Sequence, residues 1–151
     1  MNLTEEPEVV TWPETHYVFL ERIGPFMQTA PQAWQYVHSQ VPVIETKNKI
    51  TGYMSLYKMG PKIYRAGVSV AAPPVELPDG LEYTKFGGGK YSRFVLTGHY
   101  SNLPQASGRV WQIAAETKIA QRDDFAIEHY VNDPRITPED ELVTEILIPT
   151  A

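Results

Sequence analysis

Two short apolar runs of equal length in the chain predict β-strands. YVFLERIG (residues 17–24) and YSRFVLTG (residues 91–98) each run from a tyrosine to a glycine and are rich in residues that favour strands. Further runs with strand character follow in each half, at about 49–57, 62–70, 125–131 and 142–148. The pattern therefore predicts one strand, an interval, and then two more strands, twice over.

Apolar residues at helical spacing fill the interval after the first strand of each half. A stripe with this period can be buried against a sheet, so a helix is predicted in both places. The first stripe is Ala30, Ala33, Trp34, Val37 and Val41, and the second is Leu103, Ala106, Val110, Ile113 and Thr117.

Local signals suggest where the two helices begin and end. Two pairs of residues have the spacing of an N-cap and its capping-box partner. These pairs are Thr29 with Gln32 and Asn102 with Gln105. Pro42 is expected to end the first helix. Gly108 lies inside the second and lowers its stability by ~1 kcal/mol relative to alanine, unless close packing there requires a glycine.

The chain repeats itself once. The run at 17 recurs at 91, APQAW at 30 matches LPQAS at 103, and YKMGP at 57 matches YVNDP at 130. Three matches in the same order at nearly one offset predict an ancient duplication, with repeats of approximately 8–72 and 80–150 linked by residues 71–80. We expect one domain over 1–151, an α+β fold in which a strand–helix–strand–strand module occurs in tandem. Its antiparallel sheet would carry two main helices.

The glycine run Gly87–Gly89 invites comparison with phosphate-binding loops. Such loops lead from a strand into the N-terminus of a helix. Here the surrounding sequence KFGGGKYSRF runs from one strand to another, which favours a flexible hairpin instead.

Composition narrows the function classes. The chain has 151 residues, a net charge of −5 and no cysteine. Its basic residues are scattered, which argues against direct nucleic-acid binding, and no run approaches the ~18 apolar residues of a membrane span. The acidic N-terminus does not resemble a signal peptide, so a cytoplasmic location is expected. The histidines lack metal-ligand spacing, no Ser-His-Asp arrangement can be inferred, and neither a metal nor another cofactor is expected.

Glu128 and Glu145 each interrupt a predicted strand, and neither carboxylate is repeated. At the offset of the duplication, Glu128 falls opposite Ser55, and Glu145 falls at or near Ala72. Tyr130, by contrast, matches Tyr57. A role in supporting the fold would appear in both halves, whereas a role in one asymmetric site would not. We therefore predict that these carboxylates belong to a ligand site.

Period-two alternation puts Tyr130 on the face of Glu128. Glu145 could share that face if the two strands pair as a hairpin, although the sequence does not give their register. Four further aromatic residues are candidates for the walls of the site, namely Tyr53, Tyr57, Trp34 and Trp111. The alternatives are core packing for the aromatic residues, and a solvated sheet face or a salt bridge to Arg93 or Arg65 for the glutamates.

Several segments together resemble the GyrI-like effector-binding family, which is found fused to DNA-binding heads in AraC-type and MerR-type regulators and as free-standing proteins. They are GPFMQTAPQAW, YSRFVLTG, IEHYVNDP with its E-x-Y-x-N signature, and TEILIP. The resemblance implies two modules related by a pseudo-twofold axis, with a groove between them for a lipophilic, aromatic or cationic small molecule. A strand carboxylate, by position Glu128 or Glu145, would contact the cation, and Tyr130 would lie beside Glu128.

Three functions follow from this resemblance. Because no helix-turn-helix head is recognisable, the first is a free-standing protein that senses or sequesters small molecules. The second is a hydrolase of cyclopropane-bearing genotoxins that uses a pocket glutamate, as in some free-standing relatives. The third is a modulator of DNA gyrase, or of a separate regulator protein, that acts by protein–protein contact.

Overall fold

The computed structural model describes all residues from 1 to 151 and contains nine strands and two α-helices. The first three strands are β1 (Asn2–Leu3), β2 (Glu8–Trp12) and β3 (Thr15–Ile23). After helix α1 (Phe26–Glu45) come β4 (Ile50–Lys58), β5 (Ile63–Val70), β6 (Glu82–Phe86) and β7 (Gly89–Thr97). After helix α2 (Leu103–Glu116) come β8 (Ala126–Tyr130) and β9 (Val143–Pro149). Short 3₁₀ turns cover Tyr100–Asn102 and Glu139–Glu141.

The chain forms two compact units. The contiguous unit is Pro13–Gly88, and the split unit combines Met1–Trp12 with Gly89–Ala151. In the contiguous unit, antiparallel strands follow the order β4-β5-β3-β6, and α1 packs against β3 and β5. The predicted linking segment 71–80 lies within this unit.

The split unit has the same plan. Its antiparallel strands follow the order β8-β9-β7, and both β1 and β2 pair with β7. Helix α2 packs on the apolar side chains of β7 and β9, among them Phe94 and Ile146. The α+β class, the antiparallel pairing and the strand–helix–strand–strand order are confirmed, while the duplication itself stays a prediction from the sequence. Neither helix has the length and apolarity that a membrane crossing would need.

The predicted ends of helix α1 are wrong. The helix begins at Phe26 after Pro25, one turn before the expected cap Thr29, whose hydroxyl donates to the Pro25 carbonyl at 3.2 Å. Pro42 lies inside the helix, which continues to Glu45. Ile44, fully buried, explains the extension, because its burial contributes ~1.5–3 kcal/mol and offsets much of the cost of an interior proline.

Helix α2 begins where predicted, but without the predicted capping box. Asn102 occupies the N-cap position and forms no side-chain hydrogen bond there. The side chain of His99 caps the preceding 3₁₀ turn, where it accepts a hydrogen bond from the backbone N–H of Ser101 at 3.1 Å. Asn102 follows that turn with helical backbone angles, so its side chain is not placed to cap α2.

Replacing Gly108 by alanine should stabilise the protein by about 0.5–1 kcal/mol, because alanine has the higher helix propensity. Close packing does not require a glycine at position 108, because this position is exposed and an added Cβ would meet no atom within 4 Å. Chemical denaturation of the wild type and Gly108→Ala measures the difference. A variant that is less stable than wild type would contradict this account.

The glycine run does not form a hairpin. It does lead from one strand to another, but β6 pairs with β3 and β7 pairs with β2 and β9. Phe86, the last residue of β6, lies opposite Thr15 of β3. Strand β6 therefore belongs to the contiguous unit, whereas β7 belongs to the split unit. Long-range pairing rather than the local turn therefore decides the path of the chain.

Candidate functional site

The pairing of β8 with β9 decides which way each candidate glutamate faces. His129 lies opposite Glu145, and Glu128 lies opposite Ile146. Directly paired residues project from the same side of a sheet, and neighbours along a strand project from opposite sides. Glu128 and Glu145 therefore point to opposite faces of the split unit's sheet, and the arrangement in which both share one face does not occur.

Glu128 lies on the face that α2 covers. Its cross-strand neighbour Ile146 is fully buried in the cluster beneath that helix. Tyr130 projects to the same side, as predicted, and its hydroxyl donates a hydrogen bond to Glu128 Oε1 at 2.9 Å. Trp111 of α2 packs against this cluster, so three of the predicted site residues lie in one unit on one side of its sheet.

Glu128 has no positively charged partner. Tyr130 provides its one hydrogen bond, and no lysine, arginine or histidine forms an ion pair with it. Burial raises the pKa of the Glu128 carboxyl above its usual value of 4.5, and the Tyr130 hydroxyl only partly opposes that shift. A partly buried carboxylate without a counter-charge is costly to the folded protein, and a bound cation would offset that cost.

Tyr100 contacts Tyr130 on this side of the sheet, although the sequence did not predict it as a site residue. Its ring meets the Tyr130 ring edge-on, with centroids 5.7 Å apart and planes at 69°. Tyr100 opens the 3₁₀ turn before α2 and is partly buried. The available signal was its place two residues after the strand-ending glycine, where the first repeat has Phe26.

Glu145 is held in a network of charges on the opposite face. Its carboxylate pairs with Arg93 at 3.1 Å and with His129 Nδ1 at 2.7 Å. Arg93 also binds Glu8 at 2.8 Å, and the Trp12 ring packs edge-on against His129. The His129 hydrogen bond, with smaller help from Arg93, lowers the pKa of Glu145. For Glu145 the alternative of a salt bridge to Arg93 is therefore confirmed.

The remaining predicted aromatic residues lie in the contiguous unit. The Trp34 indole N–H donates to the hydroxyls of Ser55 at 3.1 Å and Tyr64 at 2.9 Å. Tyr57 is only 4% exposed and meets the Phe26 ring edge-on at 5.8 Å. These contacts show Trp34 and Tyr57 taking part in the packing of their own unit.

Tyr53 belongs to a more open part of the contiguous unit. It stacks with His38 of α1, with ring centroids 6.1 Å apart, and His38 in turn contacts Trp34 at 5.2 Å. Tyr53 is partly buried, whereas His38 is exposed. No group of three or more acidic or histidine side chains with the geometry of a metal site occurs in the chain.

Several solved structures share the fold of this chain. The C-terminal domain of EcmrR superposes with a TM-score of 0.80 at 14% identity, covering 100% of this chain and 99% of that one. SAV2435, solved with bound tetraphenylphosphonium, gives a TM-score of 0.72 at 14% identity over 97% and 94% of the two chains. A hydrolase from Listeria innocua gives 0.63 at 11% identity over 98% and 93%.

Sequence comparison identifies the family directly. No curated protein is significantly similar to the chain. The family model described as the GyrI-like small molecule binding domain, however, matches residues 5–151. With this match over nearly its whole length, and with the fold it shares with the EcmrR C-terminal domain and SAV2435, the chain belongs to the GyrI-like family of small-molecule-binding domains.

Proposed function

We propose that the protein binds lipophilic organic cations at Glu128, for sequestration or sensing. The observation that carries the proposal is a partly buried carboxylate with one hydrogen bond and no cationic partner. An organic cation would supply the missing charge, and its apolar surface would be removed from water beside Tyr130 and Trp111. SAV2435, a structural neighbour, was solved with a cation of this class.

Aromatic side chains around Glu128 suit a ligand whose charge is spread over rings. Contacts between a cation and an aromatic face contribute ~0.5–2 kcal/mol each, and they depend little on the detailed shape of the ligand. Tyr100 and Tyr130 form one aromatic pair on this side of the sheet, and Trp111 lies on α2 above the same apolar cluster. This composition favours recognition of charge and aromatic surface over recognition of one particular compound.

The proposal is tested with a charged and a neutral ligand of similar shape. Tetraphenylphosphonium and triphenylphosphine, which has neither a charge nor an oxygen acceptor, are titrated into the protein and followed by isothermal calorimetry. We expect the cation to bind and the neutral compound to bind at least about tenfold more weakly, which corresponds to ~1.4 kcal/mol for the charge. Equal affinity for both would contradict a role for the carboxylate, and no binding of either would contradict the proposal as a whole.

A hydrolase is the second candidate function, and the state of Glu128 is the observation that favours it. A carboxyl whose pKa is raised by burial is suited to take a proton from water, and the Tyr130 hydroxyl would hold its orientation. The water oxygen would then bond to a ring carbon of a strained electrophile such as a cyclopropane as one ring C–C bond breaks, and the proton taken up by Glu128 would pass to the group that receives the electron pair of that bond. Mass spectrometry of a cyclopropane-bearing compound after incubation with the protein would detect the ring-opened product, and turnover above one equivalent separates catalysis from binding.

A further inference from the structure

An aromatic pair recurs in the two units with nearly the same geometry. In the contiguous unit, Phe26 meets Tyr57 with centroids 5.8 Å apart and planes at 76°. In the split unit, Tyr100 meets Tyr130 at 5.7 Å and 69°. Each pair joins the residue two positions after the glycine that follows the first strand to a tyrosine on the second strand of the module, directly after the helix. The rings themselves therefore belong to the common plan of both units.

The polar groups around the two pairs are not repeated. At the position of Glu128 the contiguous unit has Ser55, a fully buried residue whose hydroxyl lies 2.7 Å from that of Tyr64. At the position of Tyr100 it has Phe26, which has no hydroxyl. The split unit thus carries a carboxylate and a phenolic hydroxyl at positions where the contiguous unit has neither, and Glu128 is the group to which we assign cation binding.

The Tyr100 hydroxyl has no partner within the protein. It forms no hydrogen bond with any other group of the chain, although the side chain is partly buried. Burial, and to a smaller extent the charge of Asp133, raise the pKa of Tyr100 above its ordinary value of 10, so the group stays protonated and able to donate at neutral pH. A hydroxyl needed only for packing would gain nothing over the phenylalanine of the other unit.

We propose that Tyr100 is a specificity-determining residue whose hydroxyl donates a hydrogen bond to an acceptor oxygen of the bound ligand. The ligand class then narrows from lipophilic cations in general to aromatic cations that carry a carbonyl, ether or hydroxyl oxygen. This inference rests on the proposed function of Glu128. The two polar groups then have separate roles. The Glu128 carboxylate compensates the positive charge of the ligand, and the Tyr100 hydroxyl selects ligands that carry an acceptor oxygen.

The test pairs a one-atom change in the protein with a small change in the ligand. Tetraphenylphosphonium is compared with triphenylphosphonium salts whose fourth ring carries a methoxy or acetyl oxygen at the meta or para position. Affinities are measured by calorimetry for wild type, Tyr100→Phe and the control Tyr83→Phe. Tyr83 is an exposed tyrosine of the contiguous unit whose hydroxyl lies 2.7 Å from His16 Nδ1.

We expect at least one oxygen-bearing salt to lose about fivefold in affinity in Tyr100→Phe, the typical net effect of one hydrogen bond, while tetraphenylphosphonium binds both proteins equally. Tyr83→Phe should match the wild type with every ligand. If tetraphenylphosphonium binds but Tyr100→Phe leaves the affinities of all the salts unchanged, or weakens all of them alike, the inference is overturned and the proposed function stands. If no cation binds the wild type, the proposed function fails first.

Discussion

Replacing Glu128 by glutamine should weaken the binding of tetraphenylphosphonium at least about 30-fold. Removing one member of a desolvated charge pair typically costs 2–5 kcal/mol, and the lower end of that range corresponds to this factor. Glutamine keeps the shape and can still accept the hydrogen bond from Tyr130, so the change removes the charge and little else. Because the carboxylate is costly to bury, the unliganded variant should be at least as stable as the wild type.

Glu145→Gln is the matched control for this experiment. Glu145 lies on the adjacent strand but on the opposite face, where Arg93 already balances its charge and His129 is hydrogen-bonded to it. Its replacement should leave the affinity for tetraphenylphosphonium within about twofold of wild type, although loss of this partly buried network should lower the stability by ~1 kcal/mol or more. The reverse result, in which Glu145→Gln alone abolishes binding, would assign the site to the other face.

The pH dependence of binding provides a second readout of the same group. The folded pKa of Glu128 is raised, so the carboxyl takes up a proton at a pH above its ordinary value of 4.5. Only the ionised form attracts the cation, and the affinity should therefore fall as the pH is lowered through the raised pKa. Glu128→Gln should bind weakly and without this dependence. Calorimetric titrations from pH 8 down to 4.5 compare the two proteins.

Gly67→Ala should destabilise the protein by about 3 kcal/mol or more, with a fall in Tm of roughly 6–12 °C. Gly67 lies in β5, and a Cβ there would overlap the Val18 carbonyl oxygen and would lie only 2.7 Å from Tyr17 Cζ, closer than van der Waals contact allows. The Tyr17 ring cannot yield easily, because the side chain is fully buried and its hydroxyl donates to the Met54 carbonyl at 2.8 Å. The backbone oxygen has even less freedom to move.

Gly60→Ala controls for the general effect of replacing a glycine. A Cβ at Gly60, in the turn between β4 and β5, would meet no atom within 4 Å. Its Tm should stay within about 2 °C of wild type, a difference of under ~1 kcal/mol. If thermal unfolding gave the same Tm for Gly67→Ala and Gly60→Ala, the result would contradict the close packing of Tyr17 against Gly67 of β5.

Hydrophobic periodicity predicts most of the fold, and it fails where partners distant in sequence decide the structure. The six strands and two helices with a clear apolar period were found within a few residues of their observed bounds. Strands β1, β2 and β6 were missed because NL, EVVTW and EYTKF are short and largely exposed, with little apolar period to mark them. Each is a strand because it pairs with β7 or β3, far away in the sequence.

The candidate site was predicted as a set of residues but not as an arrangement. Alternation along β8 placed Glu128 and Tyr130 together, which the hydrogen bond between them confirms. The face of Glu145 depends on the register between β8 and β9. Part of that register is set by Asn132, whose side chain binds the Glu141 carbonyl and the Val143 N–H across the connecting loop. The alternation of residues along one strand does not predict how the connecting loop aligns that strand with the next.

The split unit has a consequence for how the chain folds during synthesis. Residues 13–88 contain every strand of the contiguous unit, so its pairings can form as soon as β6 has left the ribosome. Strand β2 is made before all of these but pairs with β7, where Glu8 meets Arg93. It must therefore stay unpaired until β7 has emerged, and closing so long a loop slows folding. The first residues synthesised thus reach their native partners only after every strand of the contiguous unit has been made.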